Sequence, residues 1–158
     1  AKIAAILGEY ADEAGARQHA LAIAESETQA TPDNAFAWLN YGNNLTYFDR
    51  FADAGDAFDR ARALGLPYRI QWYQFSPYRA YYNLGRFKDV VDLTTATLAK
   101  AENLEENHFW RGWARLSLGD RAGAIADFRD ALKYNPNYLD AQNALSTLGV
   151  SSPGVSSP

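Results

Sequence analysis

At 158 residues the chain has room for one domain with a sizeable core, and 47% hydrophobic against 22% charged residues predicts that it folds and dissolves. A formal net charge of −4 and a pI near 5.1 argue against a phosphate-backbone binder, which needs clustered Lys and Arg. There is no cysteine, which removes disulfides, thiolate nucleophiles and Cys-based metal sites and leaves the compartment open.

The apolar runs fall short of a membrane span, and no signal peptide is visible. The chain opens on Ala1 inside a helical pattern and holds no methionine, which reads as a piece of a longer protein. Its localisation is unknown from sequence.

The pattern repeats every 34 residues. Gly8 and Gly42 are one period apart, as are Ala20 and Ala54, Phe75 and Phe109, Ala80 and Ala114, Leu84 and Leu118, and Gly85 and Gly119. A period of this size marks a stacked helical array whose units bury their apolar faces against neighbours. The frames run 1–34, 35–70, 71–104 and 105–138, and Leu64 to Arg69 lengthen the exit of the second.

In the first frame Ile3, Leu7 and Ala11 are helically spaced, Gly15 interrupts, and Ala20, Ile23 and Ala24 resume. In the fourth, Phe109, Trp113 and Leu116 precede Leu118-Gly119-Asp120, and Ala124, Phe128, Ala131 and Leu132 follow. Glycine supplies a left-handed cap after the first helix, and proline (Pro32, Pro136) stops the second. Helices are expected near 2–14, 17–30, 34–47, 51–64, 69–84, 87–101, 105–118, 121–134 and 138–148. Gly8, Gly42 and Gly112 share one place in their frames, and Ala20, Ala54 and Ala124 another. Small residues there let two helices approach, and Phe58 and Phe128 each set a large ring beside a small residue, Ala61 and Ala131.

Trp38-x-x-Tyr41-Gly42 with Phe51, Ala54, Phe58 and Ala61 resembles a tetratricopeptide repeat, as does Gly112, Gly119, Ala124, Phe128, Ala131 and Pro136. The first frame follows it less well, with Ala24 in place of the aromatic. The third departs most, with Tyr78 at the glycine place, Val90 at the alanine place and Thr94 at the aromatic place. The resemblance spans 1–138. It implies an all-α fold: a right-handed superhelical array of antiparallel helix pairs over 1–149, with 139–149 as a capping helix. Residues 150–158 read as a flexible Ser/Pro tail.

No enzyme signature is present. His19 and His108 have no acid at local ligand spacing, Ser76 and Ser117 lack a nucleophile elbow, and Glu102, Glu105 and Glu106 read as a solvated turn. No metal or cofactor is expected. Pro77 falls within the helix expected at 69–84, so that helix kinks or restarts with Ser76 as cap.

In such an array the first helix of each pair lines the concave face, which makes protein or peptide segments the expected partners. The ligand-groove residues read off these places are Phe36, Asn43, Trp72, Phe75, Arg79, Tyr82, Asn83, Phe109 and Trp113. Lys2, Ala5, Glu9, Asp12, Glu13, Leu39, Thr46, Tyr47, Glu106, Leu116 and Ser117 share the face. The other reading is that several rings fill the groove themselves. Docking on a domain of the parent polypeptide, self-association, and carbohydrate or cell-wall binding are the alternatives. Nucleic acid and membrane are not expected partners. Of the carboxylate clamp that some relatives use for chaperone C-termini, Asn43 alone stands, so that activity is not expected. The block 66–78 is also similar to repeat segments carried behind C39-type papain-like peptidases in some bacteria.

Overall fold

A computed structural model describes residues 13–151. The chain divides into two compact units, residues 1–66 and 67–158. Among the described residues every regular element is helical. The helix expected over 2–14 lies outside them except for its last two positions, and so does the tail from Ser152.

The first unit holds α1 (Glu13–Ala30), α2 (Ala35–Tyr47) and α3 (Phe51–Ala63). The break expected at Gly15 does not occur, because α1 runs through it. Glycine inside a helix costs about 1 kcal/mol relative to alanine, which the good helix formers around it can absorb. Leu21, Ala24 and Thr28 form the buried stripe of α1. Asn34 caps α2 by accepting the Phe36 N–H at 3.0 Å. The α2–α3 turn passes through Asp49 at φ 55°, a left-handed position that Asp tolerates better than most residues. Gly42 and Phe58 meet between these two helices. A methyl added at Gly42 would stand 2.5 Å from the Phe58 ring, so the glycine exists to admit it.

The second unit opens with a 3₁₀ helix, Tyr68–Trp72, followed by α4 (Ser76–Asn83), α5 (Phe87–Leu98), α6 (Glu105–Ser117), α7 (Arg121–Tyr134) and α8 (Leu139–Thr147). The single helix expected over 69–84 is thus split. The chain restarts at Ser76 with Pro77 in the first turn, where a missing amide hydrogen costs nothing. The cap position is Phe75, not Ser76, and no side chain caps the helix.

In α6–α7, Gly112 and Phe128 repeat the Gly42–Phe58 arrangement. A methyl at Gly112 would lie 2.6 Å from the ring. In α4–α5 the same two places carry Tyr78 and Thr94, both fully buried. The large ring has moved from the second helix to the first, and the small residue has moved the other way. Buried Tyr78 brings a hydroxyl that needs a partner. It donates to Asn107 Oδ1 at 2.6 Å, and Asn107 Nδ2 donates to the Gln71 carbonyl at 3.1 Å.

The C-terminal core gathers Ala124, Phe128, Ala131 and Leu132 of α7 against Ala141, Ala144 and Leu145 of α8. The last helix therefore covers an apolar face, as a cap would. Val150, expected in the tail, packs against this cluster, and its N–H donates to the Leu145 carbonyl at 3.0 Å. No helix among the described residues is long and apolar enough to cross a membrane.

Candidate functional site

The restart at Pro77 decides what happens to the rings before it. Trp72 ends the 3₁₀ helix, and Tyr73 and Phe75 lie in the connection to α4. Together with Leu104, Glu105 and Glu106 at the head of α6 they line a pocket of about 230 Å³. Trp72 and Phe75 are half-buried, and Tyr73 is exposed. Arg69 rests over the Trp72 ring, 5.4 Å from its centre. Glu106 accepts the Tyr138 hydroxyl at 2.8 Å, and Glu105 accepts from Asn135 Nδ2 at 3.4 Å. Burial pushes the Glu106 carboxyl above the usual carboxylate range. The Tyr138 hydrogen bond opposes this, and the charges of Glu105 and Asp140 add to it.

The remaining expected groove residues of this unit fall into two groups. Arg79 and Asn83 are exposed on α4, and Asn83 Nδ2 donates back to the Arg79 carbonyl at 2.8 Å. Tyr82 is half-buried; its hydroxyl meets Ser117 Oγ at 2.9 Å and its ring lies edge-on to Phe87 and Trp110. Phe109 and Trp113 are half-buried and seated on the core. Their ring centres lie 6.0 and 5.5 Å from that of Phe128, and Phe109 also meets Tyr138 at 5.2 Å. Leu116 packs on the same cluster. One edge of each ring is structural, which sequence could not decide.

In the first unit Phe36 is 51% exposed and Asn43 is half-buried. Leu39 and Thr46, expected on the groove face, are core, and Thr46 Oγ1 donates to the Gly42 carbonyl at 2.8 Å. The reason is that α2 packs against both α1 and α3, so it buries a wider arc than one partner would require. Tyr47 is half-exposed under the Arg17 guanidinium, 3.5 Å away. Lys2, Ala5, Glu9 and Asp12 lie outside the described residues. A second pocket of about 450 Å³, unforeseen from sequence, is lined by Trp38, Tyr41, Ala57 and the charged Arg50, Asp53, Asp56 and Arg60. Arg50 and Asp53 neutralise each other there at 2.6 Å.

His108 has no acid at local ligand spacing, yet acids reach it from another helix. Asp127 and Asp130 come to it from α7, with oxygens 3.7 and 4.0 Å from Nδ1. A search for local spacing misses donors that meet across two helices. Asp127 is buried at the frame place that holds Ala57 in the second frame, and an acid in an apolar run was the available signal. Arg111 reaches it at 2.7 Å and Arg115 at 2.8 Å, on different carboxylate oxygens. Burial alone would push Asp127 up, but His108 and the two guanidiniums outweigh it and hold the carboxyl below its usual range. With both oxygens already held by guanidiniums, the cluster suits an internal ion pair better than a metal cation.

A family model of the tetratricopeptide repeat matches residues 105–138. Over that one frame the chain is similar to a tetratricopeptide repeat. The packing that defines this stretch, Gly112 under Phe128, is the packing of Gly42 under Phe58 in the second frame. The tetratricopeptide repeat is an interaction module, and its helix pairs stack into α-solenoids. Among solved structures, YrrB, described as a tetratricopeptide-repeat protein with an unusual peptide-binding site, is similar at 15% identity over 92% of this chain and 89% of its own, with a TM-score of 0.43. No curated protein matches the chain. The likeness of 66–78 to segments behind C39-type peptidases gains nothing from these matches.

Proposed function

We propose that the chain is a non-catalytic scaffold that holds an extended protein segment against the first-helix face of its second unit. Trp72 and Phe75 form the principal contact, Arg79, Tyr82 and Asn83 line the way along α4, and the exposed edges of Phe109 and Trp113 continue it on α6. Phe36 and Asn43, on α2 of the first unit, are proposed as a contact patch of that unit by itself.

The observation that carries this reading is the pocket lined by Trp72, Tyr73 and Phe75. Three rings around one open depression form an amphipathic contact area of the kind that dominates binding energy at interfaces. Rings fixed by backbone and core lose little entropy on binding.

A random-peptide display screen against the whole chain tests it. Recovered peptides are expected to lose binding to Trp72→Ala and to Phe75→Ala while both variants keep the wild-type helical circular dichroism. Peptides that bind both variants as tightly as wild type would move the site elsewhere. Trp113→Ala is a poorer probe, because its ring also supports Phe128.

A further inference from the structure

The acids of the aromatic pocket lack the basic partners that several other acids of the chain possess. Asp53 pairs with Arg50, Asp89 with Arg86, Asp92 with Lys88, and Asp127 with two arginines. No lysine or arginine among the described residues pairs with Glu105 or Glu106. Their hydrogen bonds come from a neutral amide and a neutral phenol. Glu106 is half-buried and has Glu105 and Asp140 nearby, so a partly desolvated carboxylate is held among like charges. That arrangement is unfavourable in the free protein. A carboxylate offers about four lone-pair sites, and the Tyr138 hydroxyl uses one.

The other walls favour the same kind of guest. Trp72, Tyr73 and Phe75 present ring faces and edges beside these acids. A cation over an aromatic face is attracted by the ring quadrupole, and Trp is the strongest of the three. Arg69 of this same chain already occupies a position over the Trp72 ring. The pocket, at about 230 Å³, is smaller than the roughly 300–1,000 Å³ of small-molecule sites, and its size suits one side chain.

We propose that this pocket receives the lysine or arginine side chain of the bound segment. The alkyl stem lies against Phe75 and Leu104, the charged head meets Glu105 and Glu106, and Trp72 flanks it. This rests on the scaffold reading and adds the chemistry of the partner: a segment with an anchoring basic residue. Removing water from the Glu106 carboxylate costs free energy in the empty pocket, and the incoming cation offsets that cost.

The test uses four blocked pentapeptides, Gly-Pro-Xaa-Pro-Gly with Xaa as Lys, Arg, Gln or Glu, titrated into the whole chain and followed by the Trp72 indole NMR signal. The Lys and Arg peptides are expected to bind about tenfold more tightly than the Gln peptide, the scale of a partly desolvated cation–aromatic contact. The preference should shrink at high salt. The double variant Glu105→Gln/Glu106→Gln should retain the fold and lose the preference. Equal binding of Lys, Arg and Gln peptides would overturn the inference, as would a double variant that keeps the preference or basic peptides that do not bind. Equal binding of all four, abolished by Phe75→Ala, would sink the basic anchor and leave the scaffold reading intact.

Discussion

The helix pairs α6–α7 and α4–α5 solve one packing problem in opposite ways. In α6–α7 a glycine on the first helix admits Phe128 from the second. In α4–α5 the same two places hold a tyrosine on the first helix and Thr94 on the second, both fully buried. Each pair needs one large ring at the crossing, and either helix can supply it. The choice has consequences. Phenylalanine needs no partner, but Tyr78 needs Asn107 on α6, so the irregular pair is tied to the regular one by a buried hydrogen bond. The first helix of the irregular pair has 8 residues against 13, and the residues it gives up form the 3₁₀ helix and the aromatic connection. The candidate site sits where the repeat departs from its own rule, as expected when local regularity is given up for a site.

The strongest way to break this comparison is to restore the rule. Tyr78→Gly should cost about 3–5 kcal/mol, as for other buried aromatics, with a further contribution from glycine inside a helix. Thr94→Phe alone should cost about 1–3 kcal/mol by overpacking against Tyr78. The double variant should be about 1–3 kcal/mol more stable than the sum of the singles, because one ring replaces the other. Strict additivity in urea melts would show that the two places do not compensate.

Removing the buried charge of α7 should have a comparable effect. Asp127→Ala leaves Arg111 without its carboxylate and Arg115 with the more distant Asp120 alone, and should cost about 3–5 kcal/mol. The pH signature has a definite sign. The native Asp127 carboxyl titrates below its ordinary value of 3.8, so its contribution is present above that pH and is lost as pH falls through the native value. Asp127→Asn should therefore unfold less steeply with acid than wild type. An identical acid limb would mean that Asp127 does not govern it.

A smaller effect is expected at the link between the two pairs. Asn107→Ala strands the Tyr78 hydroxyl and the Gln71 carbonyl and should cost about 1–3 kcal/mol in a chemical melt. If Tyr78→Phe is combined with it, part of that loss should return, since the stranded hydroxyl is gone. A double variant no better than Asn107→Ala would deny the hydroxyl its role.

The smallest change concerns Glu106. Its native carboxyl titrates above the ordinary value of 4.5, so its contribution is present below that pH and is lost as pH rises through the native value. Glu106→Gln keeps an acceptor for Tyr138 and removes the charge. Its melting temperature at neutral pH should equal or slightly exceed that of wild type. A clear drop would mean that the carboxylate supports the fold and is not held at its expense.

From residue 34 onward the sequence by itself placed the helices, apart from the split within 69–84, and the residues buried at the helix crossings. The 34-residue period fixed where Gly42, Phe58, Gly112 and Phe128 stand, and a glycine that admits a ring is a local rule that can be read one frame at a time. The same spacing showed that the third frame had lost its glycine and that Pro77 would interrupt a helix. Tertiary structure decided the rest, because it depends on what meets across helices far apart in the chain. Leu39 is core because α2 has two neighbours, and Asp127 meets His108, Arg111 and Arg115 because α6 and α7 bring them together. Phe109 and Trp113 are divided between core and surface for the same reason. Glu105 and Glu106 read as a solvated turn in sequence, and acquire a second meaning only when Trp72 and Phe75 are folded beside them. Periodicity reports which face a residue is on; burial, charge pairing and pockets are properties of the neighbours that face receives.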